Sequence, residues 1–333
     1  MASLIEDSQP QPKSQPGMHP FQGHPALAQL AHLIAEGFAP FRKGPPLGYQ
    51  RGIDFYSAGA FPWVLHLTAE HFRLAHGRYP DMLKPQLLSD KLYLSKFFRP
   101  MKVPETGNKL LTHSFIPEEA RELVRSPEIV WRSKEARVPR GTEVEPGVYY
   151  LKTSHGCDMY RRLVYPISNA QAQALDREFG GYLKVRYGAR GGEWWYSTFE
   201  PELLLEKAVG SAETSTSFNY YVIAGEVVML VPYQKHADGN RKSYYTPDFT
   251  LLPEDTPGHV EFTQPSESTK ARLLEAARMI GERLSFARVD FLLDDEEQLY
   301  LGEVTFTPGN ALSRISRELD LKLGQAWDLE AEL

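Results

Sequence analysis

The chain has 333 residues, long enough for two or three lobes around a substantial core. A content of 42% hydrophobic and 24% charged residues is that of an ordinary globular protein, and 37 Lys plus Arg against 43 Asp plus Glu give a formal charge of −6, which argues against nucleic-acid binding through a basic surface. The single cysteine, Cys157, cannot build an intrachain disulfide or a multi-cysteine zinc site. With no apolar run of the roughly 18 residues a spanning helix needs and no apolar secretory core at the N-terminus, a cytoplasmic protein is expected.

In chain order, residues 1–22 are rich in Pro, Gln and Ser without any apolar period and predict a disordered tail. The segment PALAQLAHLIAE, Pro25 to Glu36, repeats apolar residues at helical spacing until Gly37 stops it. A second helix is expected from Thr68 to Gly77 within the aromatic stretch that follows, so residues 23–85 read as an N-terminal helical region. Leu87 to Phe98 predicts another helix, with Ser89 or Asp90 as its cap and Pro100 beyond its end. Pro-rich and charged loops lead to strands at Val148 to Thr153, Arg161 to Ile167, Leu203 to Val209, Phe218 to Ile223 and Val227 to Tyr233, with a helix from Asn169 to Phe179. Ser266 to Leu284 is the clearest helix: Leu273, Ala277, Ile280 and Leu284 form one stripe, expected to pack behind the sheet that follows. This alternation predicts an α+β or α/β assembly.

The stretch ARVDFLLDDEEQLYLGEVTFTPGN, Ala287 to Asn310, carries the chemistry. A strand from Phe286 to Leu293 holds Asp290, acidic turn residues follow, and a second strand from Gln298 to Val304 delivers Glu303. Paired strands in matching register place one acid from each on a shared face, where a hard cation such as Mg2+ can be gripped. Arg288, two residues before Asp290, shares that face. Taken by themselves the two acids also fit solvated residues on short strands, and Arg288 also fits a plain salt bridge to Asp290.

VDFLLDDEEQLYLGEVTFTPG resembles the metal-binding end of ATP-grasp enzymes, the superfamily that includes D-alanine–D-alanine ligase. GGEWWYSTFEPELLLEKAVG and GVYYLKTSHG resemble its TupA-like branch, linked to teichuronopeptide and other polysaccharide biosynthesis. The resemblance runs from about Leu83 to the C-terminus and implies an ATP-grasp domain over residues 86–333, two α/β lobes clasping ATP about a hinge near residues 206–213, with an atypical helical N-terminal region.

Residue by residue, the resemblance puts Lys152 at the end of its strand on the nucleotide phosphates, with Ser154, His155 and Gly156 in the loop that folds over them. Lys91, from an Asp-Lys pair that opens a helix, is implied as a second phosphate contact, with Lys96 a weaker candidate. Glu206, Lys207 and Val209 occupy the adenine-binding hinge, and Glu213 aligns with the acid on the ribose. Asp290 and Glu303 are implied as Mg2+ ligands, with Thr305 where the superfamily commonly has asparagine, and Arg288 as the group that stabilises an acyl phosphate and its tetrahedral successor. A departure lies in the phosphate loop, where Gly156 is followed by Cys157, Asp158 and Met159 instead of a second glycine.

The implied activity is ATP-dependent ligation of a carboxylate to an amine such as an amino acid, the carboxylate being a sugar acid or glycan precursor. Arg190, Trp194, Trp195 and Tyr196 combine stacking surface with a carboxylate partner, although core packing is the expected use of at least one tryptophan; Arg241 and Lys242 are further candidates for acceptor or γ-phosphate contacts. Asn310, beyond the Pro308-Gly309 turn, is placed to touch substrate or cap a helix. Two other classes remain, a glycosyltransferase of polysaccharide synthesis and a catalytically quiet nucleotide-binding module.

Overall fold

A computed structural model describes residues 23–212, 215–236, 239–253 and 262–333. The expected tail at residues 1–22 and Glu213 lie outside the described residues. The chain opens with α1 (Pro25–Ala35), which begins on a proline and buries Ala26, Leu30 and Leu33. A short strand β1 (Tyr49–Gln50) and helix α2 (Gly52–Phe55) lead into α3 (Ala60–His76), which starts eight residues earlier than the apolar pattern around Thr68 predicted.

Helix α4 (Leu88–Phe98) is buried on nearly every side, Lys91 being the exception. It is followed by β2 (Met101–Lys102), paired antiparallel with β1. Neither Ser89 nor Asp90 caps α4: Leu87 holds the cap position without a side-chain bond. Asp320, from the C-terminal helix, instead accepts the Ser89 backbone N–H at 2.8 Å and its hydroxyl at 2.7 Å, while Asp90 accepts from Arg78 at 2.6 Å. An orphan donor of the first turn is thus satisfied from 231 residues away, which no local pattern announces.

Two sheets follow. Strand β3 (Val124–Arg125) and strand β4 (Ile129–Ser133) come from a stretch that reads as loop, and β5 (Gly147–Thr153), β6 (Tyr160–Tyr165) and β7 (Leu203–Lys207) complete a four-stranded sheet of order β4-β7-β5-β6. Helix α5 (Asn169–Tyr182), opened by a Ser168–Gln171 capping box, covers it through Ala172, Leu175 and Phe179, against Leu151, Leu203 and Leu205.

The second sheet is six-stranded, of order β10-β9-β8-β11-β12-β3, built from β8 (Ser217–Ile223), β9 (Glu226–His236), β10 (Gly239–Lys242), β11 (Phe286–Leu293) and β12 (Leu299–Thr305). Helix α6 (Glu267–Gly281), capped by Ser266, lies behind it with Leu273, Ala277 and Ile280 fully buried against Tyr220, Val222 and Val289, as the stripe predicts. Because side chains alternate along a strand, Ala287, Val289 and Phe291 face α6, and Phe286, Arg288 and Asp290 face the opposite side. The near end of that side is filled by α4 and α7 (Arg317–Ala326), where Phe286 stacks on Trp327. Further along, the face opens into a crevice toward the four-stranded sheet. Among the described residues no helix is long and apolar enough to cross a membrane.

Candidate functional site

The β11–β12 pairing sets Asp290 directly opposite Glu303 and Arg288 opposite Thr305, with a register shift just after Asp290. The two acids therefore share the open face. Arg288 holds Asp290 in a two-pronged pair, Nε to Oδ1 at 2.7 Å and Nη2 to Oδ2 at 2.6 Å, and donates to Thr305 Oγ1 at 3.2 Å. The salt bridge and the shared face are thus both present. Burial pushes the Asp290 carboxyl up to about 6, with Arg288 opposing the rise and Glu303 adding to it. Burial also works against the Arg288 charge, but Asp290 outweighs it, and the guanidinium stays ionised.

The opposite wall comes from the four-stranded sheet. Lys152, near the end of β5, is ion-paired with Glu206 of β7, whose strand lies alongside. The loop after Lys152 is braced by its own bonds: Thr153 Oγ1 donates to the His155 carbonyl at 2.7 Å, the Ser154 N–H to the Glu202 carbonyl at 2.7 Å, and the Glu202 N–H to Ser154 Oγ at 2.9 Å. His155 meets the Val185 carbonyl through Nε2 at 3.1 Å, and burial lowers its pKa, so the ring is neutral. Where the resemblance leads one to expect a second glycine, Asp158 adopts φ 60, a left-handed conformation, and its carboxylate accepts from Lys235 of β9 at 2.6 Å. The loop is therefore tied across the crevice to the six-stranded sheet by an acid in place of a flexible residue.

Lys109, in a segment that reads only as charged loop, is a member of this site that the sequence does not announce. Its ammonium donates to the Gly156 carbonyl, and its backbone N–H to the Ser154 carbonyl at 2.9 Å. Burial lowers its pKa, opposed chiefly by Glu303, while Lys152 adds to the lowering. One lysine is thus in electrostatic reach of both the acid hairpin and the loop of the other sheet. Lys242 of β10, half-buried, is likewise lowered by burial and by Arg288.

Lys91 is not brought to this crevice. Its ammonium donates to the Trp327 carbonyl, and it lines a separate cavity of about 420 Å³ with Asp328, Leu329 and Glu330. Lys91 and Lys96 are five residues apart on α4, about 140° around the helix, so they cannot face the same way. Lys96 is the one turned inward: 1% exposed, it donates to the carbonyls of Gly191 at 3.0 Å and Asn310 at 3.3 Å. Burial lowers its pKa to about 8, with Glu193 opposing.

Trp194 and Trp195 are both core residues, the Trp194 indole donating to the Lys96 carbonyl at 2.8 Å, and Arg190 is exposed. Tyr196 is half-buried, in the field of Glu303 and Glu193. Lys207 ends β7 exposed, its N–H donating to the Glu128 carbonyl at 2.9 Å, and Val209 is half-buried in the following linker, where Ser211 is tied to Asp295 at 3.1 Å. Arg241 pairs with Gln234 in the β9–β10 register. Glu193, unlike its neighbouring tryptophans, is only half-buried and lies in the field of Lys96 and Glu303: burial raises its pKa, Lys96 lowers it and Glu303 raises it. The signal for it is the Gly191-Gly192 pair just before it, small residues where two backbones close together.

Basic groups on one wall, paired acids on the other and a bridging loop between two sheets define a crevice suited to a polyphosphate with a divalent cation. Residues 163–328 match the family model described as TupA-like ATPgrasp, and the chain belongs to the ATP-grasp superfamily in its TupA-like branch, with an α+β ATP-grasp fold. Among similar solved structures are the ATP-grasp ligase PsnB complexed with minimal precursor (13% identity over 68% of this chain and 61% of that one, TM-score 0.36). The D-alanine–D-alanine ligase of Bacillus anthracis complexed with ATP matches at 13% identity over 68% and 64%, TM-score 0.42. An L-amino acid ligase of Bacillus licheniformis matches at 16% identity over 67% and 50%, TM-score 0.40. The chain spans less than two thirds of each of these proteins. No curated protein matches it.

Proposed function

We propose that this protein is an ATP- and Mg2+-dependent carboxylate–amine ligase that forms an amide through an acyl phosphate. The observation that carries the reading is the register that opposes Asp290 to Glu303 on the open face of β11 and β12, with Lys109 within electrostatic reach of that face and of Lys152. Oxygen donors are the right chemistry for Mg2+, which takes one or two carboxylates and completes its shell with phosphate and water. Asp290 and Glu303 would hold it, with Thr305 beside them. The ion supplies charge neutralisation on the terminal phosphates.

Within this reading Lys109 and Lys152 neutralise the phosphates and keep the terminal one in line, Glu206 fixing Lys152 until the nucleotide enters. His155 and Gly156 offer backbone N–H groups to the phosphates, and Ser154, whose own N–H is taken by the Glu202 carbonyl, braces the loop beside them. Glu206, Lys207 and Val209 form the strand-to-linker segment for adenine, which would be read by groups other than the Lys207 N–H held by the Glu128 carbonyl, and Glu213 takes the ribose hydroxyls. Arg288 locks the Asp290 rotamer and adds a fixed positive charge where the acyl phosphate and the following oxyanion develop. The family resemblance supports an amino acid or short peptide as the amine and a sugar acid or glycan precursor as the carboxylate, and the need for ATP places the reaction in the cytoplasm.

The test is a mass-spectrometric screen of acids and amines with Mg2+ and ATP. The expected result is ADP formed only with both partners, or weakly with the acid alone, and a product one water lighter than their sum. Turnover of a nucleotide sugar without ATP would instead support the glycosyltransferase alternative, and nucleotide binding without any turnover the quiet-module one.

A further inference from the structure

Around Gly191 lies a group of polar side chains that the nucleotide and metal reading leaves unused, Tyr56 among them through the field of Glu193. The Glu193 carboxylate is half-buried and accepts no hydrogen bond from the described residues. A Cβ placed on Gly191 would lie 3.2 Å from Glu193 Oε2 and 2.6 Å from the Asn310 side-chain nitrogen, so the carboxylate and the Asn310 amide flank one face of that glycine. Asn310 Oδ1 and the Tyr56 hydroxyl are both buried without a hydrogen-bond partner. Unpaired buried polar atoms cost about 1–3 kcal/mol each, and native proteins keep them chiefly where a ligand or function uses them.

The nearby cation does not fill this role. Lys96 is 1% exposed and already donates to two backbone carbonyls, behind Gly192 and Phe97. Its charge offsets Glu193, but among the described residues it donates no hydrogen bond to that carboxylate. The edge-to-face pair of Tyr187 and Tyr196, with ring centroids 5.0 Å apart, lies in the field of Glu193 and Glu303. Carboxylates, an orphaned amide oxygen and electron-rich rings repel an anion and leave a neutral hydroxyl short of donors. A primary ammonium brings three N–H donors and a positive charge that ring faces also attract.

We propose that Glu193 and Asn310 bind the ammonium end of the acceptor, so that the second substrate is a primary amine and not an alcohol or thiol. The proposal rests on the ligase reading above for what the amine does next. Glu303 feels Glu193 and belongs to the metal-side hairpin, which sets the amine beside the place where the carboxylate is activated. Glu193 is here a binding residue that selects and positions the nucleophile.

The test uses the full chain without nucleotide and n-propylammonium as probe, followed by saturation-transfer NMR, with 1-propanol as its uncharged counterpart. Wild type is expected to bind n-propylammonium saturably and 1-propanol at least tenfold more weakly. Glu193→Gln should lose at least tenfold in n-propylammonium affinity, and Glu193→Asp should retain part of it. Should Glu193→Gln fail to fold, the double variant Lys96→Met, Glu193→Gln removes both buried charges together and is expected to show the same loss. Undiminished binding in these variants, equal binding of 1-propanol, or no saturable binding by wild type overturns the amine site. Amine binding that behaves as expected, in a protein that turns over no ATP with any acid and amine, overturns the ligase reading and leaves this one standing.

Discussion

The acid-bearing hairpin and the lysine-bearing helix of this molecule are both read from short motifs, yet only the hairpin brings its charged groups onto one face. Asp290 and Glu303 sit on adjacent strands, and once two neighbouring strands pair, the period of two decides which side chains share a face. Helix α4 has no such local constraint. Its rotation is set by Asp320 at its first turn and by the aromatic core around Phe97 and Phe98, so Lys91 turns toward Trp327 and Lys96 turns inward. Register is a local property, and helix phase is a tertiary one.

The largest effect that tests this contrast is expected at Asp290. Asp290→Ala leaves the half-buried Arg288 without its carboxylate partner, so it should destabilise the fold by up to about 3 kcal/mol as well as abolish Mg2+-dependent ATP turnover. Chemical denaturation with a turnover assay checks both; wild-type stability would mean that the two-pronged pair is not formed. Next comes the lysine comparison. Lys109→Ala and Lys152→Ala should each reduce ATP turnover about a hundredfold or more, whereas Lys91→Ala should stay within about twofold of wild type. A deep loss in Lys91→Ala with normal turnover in Lys109→Ala would reverse the assignment of the helix phase.

Smaller effects sharpen the same contrast. Asp320→Ala removes the acceptor at the start of α4 and should cost about 1–2 kcal/mol in thermal or chemical denaturation, far from the crevice. An unchanged melting temperature would show that α4 is held by its apolar contacts alone. Asp158→Gly should stabilise the fold slightly, by up to about 1 kcal/mol, because relief of about 1–2 kcal/mol of left-handed strain exceeds the lost exposed ion pair of about 0–1 kcal/mol. The KM for ATP should shift by a few fold as the loop loses its tie to Lys235, and an unaltered KM would show that the tie has no bearing on the nucleotide.

Much of this was legible in the chain itself. The stripe from Leu273 to Ile280, the strands that bear Lys152 and Glu303, and the facing of Arg288 with Asp290 follow from periodicity and from short-range pairing. What escaped depends on contacts between distant segments. Lys109 stands in a short helical turn whose sequence, KLLTHSF, has no period long enough to read, and it gains its place from the loop around Gly156. Glu193 adjoins two tryptophans that are core, and the charges that act on it come from Lys96 and Glu303, about a hundred residues away on either side. Strand β4 pairs with β7, some seventy residues onward, and carries no alternation of its own.

The most direct measurement is a crystal structure with Mn2+ and the non-hydrolysable ATP analogue AMPPNP, read by the anomalous signal of the metal. The account predicts one manganese peak or more between the terminal phosphates and the carboxylates of Asp290 and Glu303, with Lys109 and Lys152 on the phosphates. A triphosphate seated in the cavity beside Lys91, or manganese bound away from both acids, would contradict it.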